Sequence, residues 1–169
     1  MKMNKLAVAI SLAGTLASGI AFAATQNITA NVNFDTALTI TKTNDISFGL
    51  VKALQAGTYT ISAAGVVTPT AGGVVLGGTP TAASLSIVGS TTQLIDISTG
   101  NYQVNAGVTP SAATCKYNAG IEAACGTLTS QAAPGTGKTL LVGVQIAADG
   151  TQGAGSTAAP TFDVVVNYH

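Results

Sequence analysis

Near the end of the chain, Phe162, Val164, Val166 and Tyr168 alternate with Asp163, Val165 and Asn167. A period of two puts one apolar and one mixed face on an extended backbone. No other pattern in the chain constrains its fold as strongly, because β-branched and aromatic residues at this period suit a pleated strand and not a helix. With the chain stopping at His169, this strand is expected to pair with earlier strands or with another chain. A second alternating stretch lies near the other end, where Ile28, Ala30, Val32 and Phe34 are interleaved with Thr29, Asn31 and Asn33. Strand edges carry unpaired N–H and C=O groups, so how these two edges are satisfied becomes the functional question.

Ahead of that stretch, a short basic start (Met1-Lys2-Met3-Asn4-Lys5), an uncharged apolar run from Leu6 to Ile20, and Ala21-Phe22-Ala23 predict a secretory signal peptide over residues 1–23. The run is too short to span a bilayer comfortably and no stop-transfer charges follow it. Cleavage after Ala23 leaves 169 − 23 = 146 residues, enough for one domain with its own core. Residues 24–37 read as an N-terminal extension and residues 38–169 as the folded domain. Export then predicts passage through the periplasm to the cell surface or beyond.

Charge is sparse. Six Lys, no Arg and six acids occur in the whole chain. Without Lys2 and Lys5 the balance is 4 − 6 = −2, too little basic charge for a nucleic-acid footprint. With 47% hydrophobic residues and 20 Gly, the chain reads as β-rich with many turns. In an exported chain, its only cysteines, Cys115 and Cys125, are expected to form one disulfide.

Strand and turn signals alternate along the domain. Leu38 and Ile40 come first, then Asp45–Val51, a Gly57–Ile61/Val66–Val67 hairpin, Val74–Leu76, Leu85–Ile87, Leu94–Ile97 and Tyr102–Ala106. Leu140–Ile146 and the terminal stretch follow. No amphipathic helix is visible. The fold class expected is all-β, a single immunoglobulin-like antiparallel β-sandwich after a cleaved signal peptide.

Several motifs suggest chemistry. Ala133-Pro134-Gly135-Thr136-Gly137-Lys138-Thr139 resembles a phosphate-binding loop, but Ala132 stands where its first Gly belongs, and the following residues alternate as a strand. Such a loop must open a helix, so nucleotide binding is not expected. Hydrolysis by a Ser-His-Asp set would rest on His169, the only histidine. Asp35, Asp45, Asp96, Glu122, Asp149 and Asp163 are scattered, several at turns where acids cap backbone donors. No catalytic residue, cofactor or metal is assigned. Tyr117, inside the cysteine loop, is the candidate for an exposed aromatic contact.

Ile46-Ser47-Phe48-Gly49, Ala56-Gly57-Thr58, Gly72-Gly73-Val74, Ala83-Ser84-Leu85, Val88-Gly89, Leu141-Val142-Gly143 and Val164-x-Val166-x-Tyr168 occur in an order that resembles a family of small secreted bacterial proteins with a domain of unknown function. The two ends also resemble subunits of chaperone–usher fimbriae, with an alternating N-terminal extension and a penultimate Tyr, here Tyr168. That resemblance implies a pilin-like structural subunit built by strand exchange. Ile28, Ala30, Val32 and Phe34 would be the donor strand. Phe162, Val164, Val166 and Tyr168 would form the acceptor edge. Neighbouring copies in a homopolymer, a periplasmic chaperone and an outer-membrane usher would be the partners. The alternative is a self-contained secreted or surface β-sandwich, adhesive or envelope-associated, whose N-terminal strand completes its own sheet. A secreted enzyme is the third reading.

Overall fold

A computed structural model describes residues 26–169. The expected signal peptide and its cleavage site after Ala23 lie outside the described residues. The chain divides after Asn33. In the described part of the first unit, residues 26–33, no residue belongs to a helix or strand. The second unit spans Phe34–His169.

That unit is an antiparallel β-sandwich of twelve strands. One sheet contains β1 (Thr39–Asn44), β3 (Ala56–Ile61), β4 (Val67–Thr70), β6 (Ala83–Val88), β8 (Val108–Tyr117), β9 (Ala123–Ala124) and β11 (Lys138–Asp149). Its spine is β11, the longest strand. Leu140 pairs with Leu85 of β6 and with Tyr117 of β8, while Ile146 pairs with Tyr59 of β3 and with Pro110 of β8. So β6 and β3 lie in tandem along one edge of β11, and β8 takes the whole of the other. Its inward face carries Leu140, Val142, Val144 and Ile146, all buried, while Leu141 and Gln145 between them are half-buried, as one covered face requires. Gly143 is buried as well. Gly143 has no alternative there, since a Cβ would collide with the Ile61 carbonyl.

The second sheet is β10 (Leu128–Gln131), β7 (Ile95–Gln103) and β12 (Thr161–Tyr168), in that order. A small separate pair, β2 (Leu50–Val51) with β5 (Val75–Gly77), flanks the sandwich. Inward-facing residues of the two sheets form one core, in which Tyr59, Ile61, Ile87, Ile95, Ile97, Leu140 and Val142 are fully buried. Alternate residues of β3 and β6 enter it, as the period of two requires.

Cys115 and Cys125 are disulfide-bonded. Both are buried, so the bridge lies in the core. The reading of Tyr117 is corrected. It is buried at 4% exposure, its hydroxyl donates to the Ala132 carbonyl at 3.0 Å, and burial pushes its phenol pKa up. The phosphate-loop look-alike is a turn that leads into β11, and Lys138 lies over the Tyr117 ring, 5.8 Å from its centroid.

Candidate functional site

A groove of about 1370 Å³ lies in the sandwich. Its floor is core side chains: Val142, Val144 and Ile146 of β11, Leu85 of β6 and Tyr59 of β3. One wall is the segment from Asp45 to Lys52, with Ile46 and Phe48 turned towards the core. The opposite wall is the first half of β12, with Phe162 and Val164, together with residues 152–160. Phe162 is held by stacking on Tyr102, with ring centroids 5.5 Å apart. Of these walls, Thr161–Val165 is a strand edge, whereas residues 152–160 and most of Asp45–Lys52 lie outside strands. Among the described residues, β12 pairs only with β7 and β1 only with β6, so each leaves one edge without a ladder partner. The floor side chains themselves stay buried, Val142 at 0% and Tyr59 at 1% exposure, while the unpaired edge of β12 leaves backbone donors and acceptors free beside them.

The expected acceptor residues divide by depth. Phe162 and Val164 line the groove. Val166 is buried in the core beside Ile97 of β7, its cross-strand partner. Tyr168 is committed elsewhere. Its hydroxyl accepts the Ser90 N–H at 2.7 Å and donates to the Thr36 carbonyl. Ser90, only 1% exposed, donates its own hydroxyl to the Asp35 carboxylate at 2.6 Å and accepts the N–H groups of Thr92 and Gln93, each at 3.0 Å. Gly89 makes room for this arrangement, because a Cβ there would stand 2.6 Å from the Tyr168 hydroxyl oxygen. The Ser90 hydroxyl, then the Thr36 N–H, hold the Asp35 carboxyl below its ordinary pKa.

The expected donor residues form no strand in this chain. Residues 26–38 carry no ladder, and Ile28, Val32 and Phe34 are 90%, 67% and 93% exposed. An alternating segment without a partner strand has nothing to hydrogen-bond its backbone or cover its apolar face, so periodicity alone does not make it a strand. Asp35 and Thr36, in contrast, are tied to the sandwich, which begins earlier than the sequence boundary at residue 38 suggests.

One cluster missed in the sequence is Asp96, His169 and Ser130. His169 Nδ1 lies 3.0 Å from Asp96 Oδ2, and its Nε2 lies 3.2 Å from Ser130 Oγ. The order of contacts is that of a charge relay, but the surroundings are not. The Ser130 N–H, a candidate oxyanion donor, is given to Asp96 at 2.7 Å and is the main cause of that carboxyl's lowered pKa, ahead of His169. None of the three residues lines the groove. The cluster ties β7, β10 and the last residue together. Other acids likewise cap backbone donors: Glu122 accepts the Ala63 N–H and Asp149 that of Thr151. No group of three or more metal-ligating side chains occurs among the described residues.

By its sequence the chain belongs to the family described as Domain of unknown function (DUF4402), whose model matches residues 38–168. Comparison with curated proteins gave no match, and comparison with solved structures gave none.

Proposed function

We propose that the protein is a structural subunit of a bacterial surface fimbria, exported through its signal peptide and assembled by strand exchange. The N-terminal segment of one copy fills the groove of the next. The observation that carries this reading is a groove with an apolar floor and an unpaired β12 edge, in a chain that also presents an exposed alternating segment. Seven residues, Ile28–Phe34, span about 23 Å when extended, and the part of β12 that lines the groove, Thr161–Val165, about 17 Å, so the added strand would run past the groove along the rest of the β12 edge. Strand addition would supply main-chain hydrogen bonds along β12, while Ile28, Ala30, Val32 and Phe34 would meet Val142, Val144, Ile146 and Phe162. A periplasmic chaperone would cover the same groove before assembly.

Val32→Asp tests the reading. A carboxylate cannot enter an apolar groove cheaply, so the variant should fold and melt as wild type and form no fibres. Surface fibres of the wild type should consist of chains whose intact mass begins at Ala24. Fibre formation by Val32→Asp at the wild-type rate would refute the exchange. A wild-type monomer that never polymerises would favour the self-contained surface module.

A further inference from the structure

We propose that Tyr168, Ser90 and Asp35 form a latch that removes all slack between the donor segment and the domain that carries it, so that consecutive subunits are joined in one fixed pose. The proposal rests on the strand-exchange reading above. Phe34 is the last donor position, exposed at 93%. Asp35, the next residue, is the first one held by its own domain, through the 2.6 Å bond from Ser90. Thr36 follows, its carbonyl bound by the Tyr168 hydroxyl. The donor therefore has no linker. Its root is gripped from both sheets, by Ser90 just past β6 of one and by Tyr168 at the end of β12 of the other.

Three features make this more than a surface hydrogen bond. Ser90 is buried, and its hydroxyl also holds the turn that leads into β7 through the Thr92 and Gln93 N–H groups. Gly89 leaves space for the Tyr168 hydroxyl that a side chain would take. Leu38, two residues beyond Thr36, packs against the core. Opening the latch would thus free Asp35, Thr36 and Ala37, giving the joint about 10 Å of extra reach. None of the latch residues lines the groove, so they position the donor and do not bind it.

Two full-length variants separate positioning from stability. Tyr168→Phe keeps the ring and removes the hydroxyl. Insertion of Gly-Ser-Gly between Phe34 and Asp35 leaves the latch and core untouched but adds the same slack. In the monomer, a nitroxide on Phe34→Cys should be slow in the wild-type background and mobile with Tyr168→Phe. In electron micrographs, fibres of both variants should be more flexible than wild type. Their persistence length should fall by roughly half or more, because a short flexible joint replaces a fixed one. Equal label mobility with and without the Tyr168 hydroxyl overturns the latch. Equal persistence length in all three proteins overturns its role in setting the pose, and the insertion decides this even where Tyr168→Phe folds poorly. Absence of wild-type fibres would sink the exchange reading and the pose with it, while the label would still report whether the root is held.

Discussion

Deleting residues 24–34 separates a segment given to a neighbour from one that completes its own sheet. Were Ile28, Val32 and Phe34 buried within their own chain, each would stabilise it by roughly 1.5–3 kcal/mol, and their removal would cost about 4.5–9 kcal/mol in all. The structure leaves them 90%, 67% and 93% exposed, so only Val32 has an appreciable part of its surface covered. The deletion ends before Asp35, which keeps the latch to Ser90 and Tyr168 intact. The expected cost is therefore at most about 1 kcal/mol, a change of a few degrees in melting temperature. Denaturant unfolding of monomeric full-length and truncated protein measures it. An unchanged slope with a nearly unchanged midpoint supports the account. A loss of about 5 kcal/mol or more would show that the segment belongs to its own sheet, and the strand-exchange reading would fall.

Two further predictions concern stability. The Cys115–Cys125 bridge closes a loop with a sequence separation of 10, for which chain entropy gives about 2.7 kcal/mol. Replacing both residues by Ala should cost at least that, since both sulfurs are buried in the core; Cys115→Ser should cost about 1–3 kcal/mol more by burying a hydroxyl. Chemical denaturation checks both values, and a loss below about 1 kcal/mol would contradict the core placement. Hydrogen bonds hold the carboxyls of Asp35, Asp96 and Asp149 below their ordinary value of 3.8. A depressed folded pKa means that their contribution is fully present above 3.8 and lost as pH falls through the lower folded values. Stability measured against pH should show this loss on its acid limb, and Asp35→Asn should make that limb shallower. An Asp35→Asn difference that is confined to pH above about 5 would contradict the assignment.

Much of the sandwich was legible because burial on one face imposes a period of two. The Gly57–Ile61 hairpin, Leu85–Ile87, Leu140–Ile146 and the terminal strand correspond to β3 with β4, β6, β11 and β12. The longest omission is β8. Pro110 and Ala112-Ala113 hide it, because Pro lacks a ladder donor and small residues carry no alternation. Structure tolerates them through an irregularity opposite Gly143–Gln145, where Ala112 takes a positive φ of 43°. Conversely, Tyr102–Ala106 alternates well but is not one strand. It breaks after Gln103 into a tight turn closed by the Asn105–Val108 bridge, with Ala106 and Gly107 both at positive φ. The apolar face of β12 could be read from sequence, whereas its open edge could not, since register and neighbours depend on pairings distant in sequence. The latch was likewise invisible, because it joins Asp35, Ser90 and Tyr168 across the whole domain.

The account stands most directly on whether the groove accepts this chain's own N-terminal segment. A synthetic Gln26–Asp35 peptide titrated into protein lacking residues 24–34 measures it by calorimetry and by melting temperature. The peptide should bind with a negative heat-capacity change, and at a hundredfold excess over its Kd it should stabilise the domain by about 2.7 kcal/mol. The same peptide carrying Val32→Asp should do neither. If the unmodified peptide neither binds nor raises the melting temperature, the groove is not a receptor for this segment and the strand-exchange account is wrong.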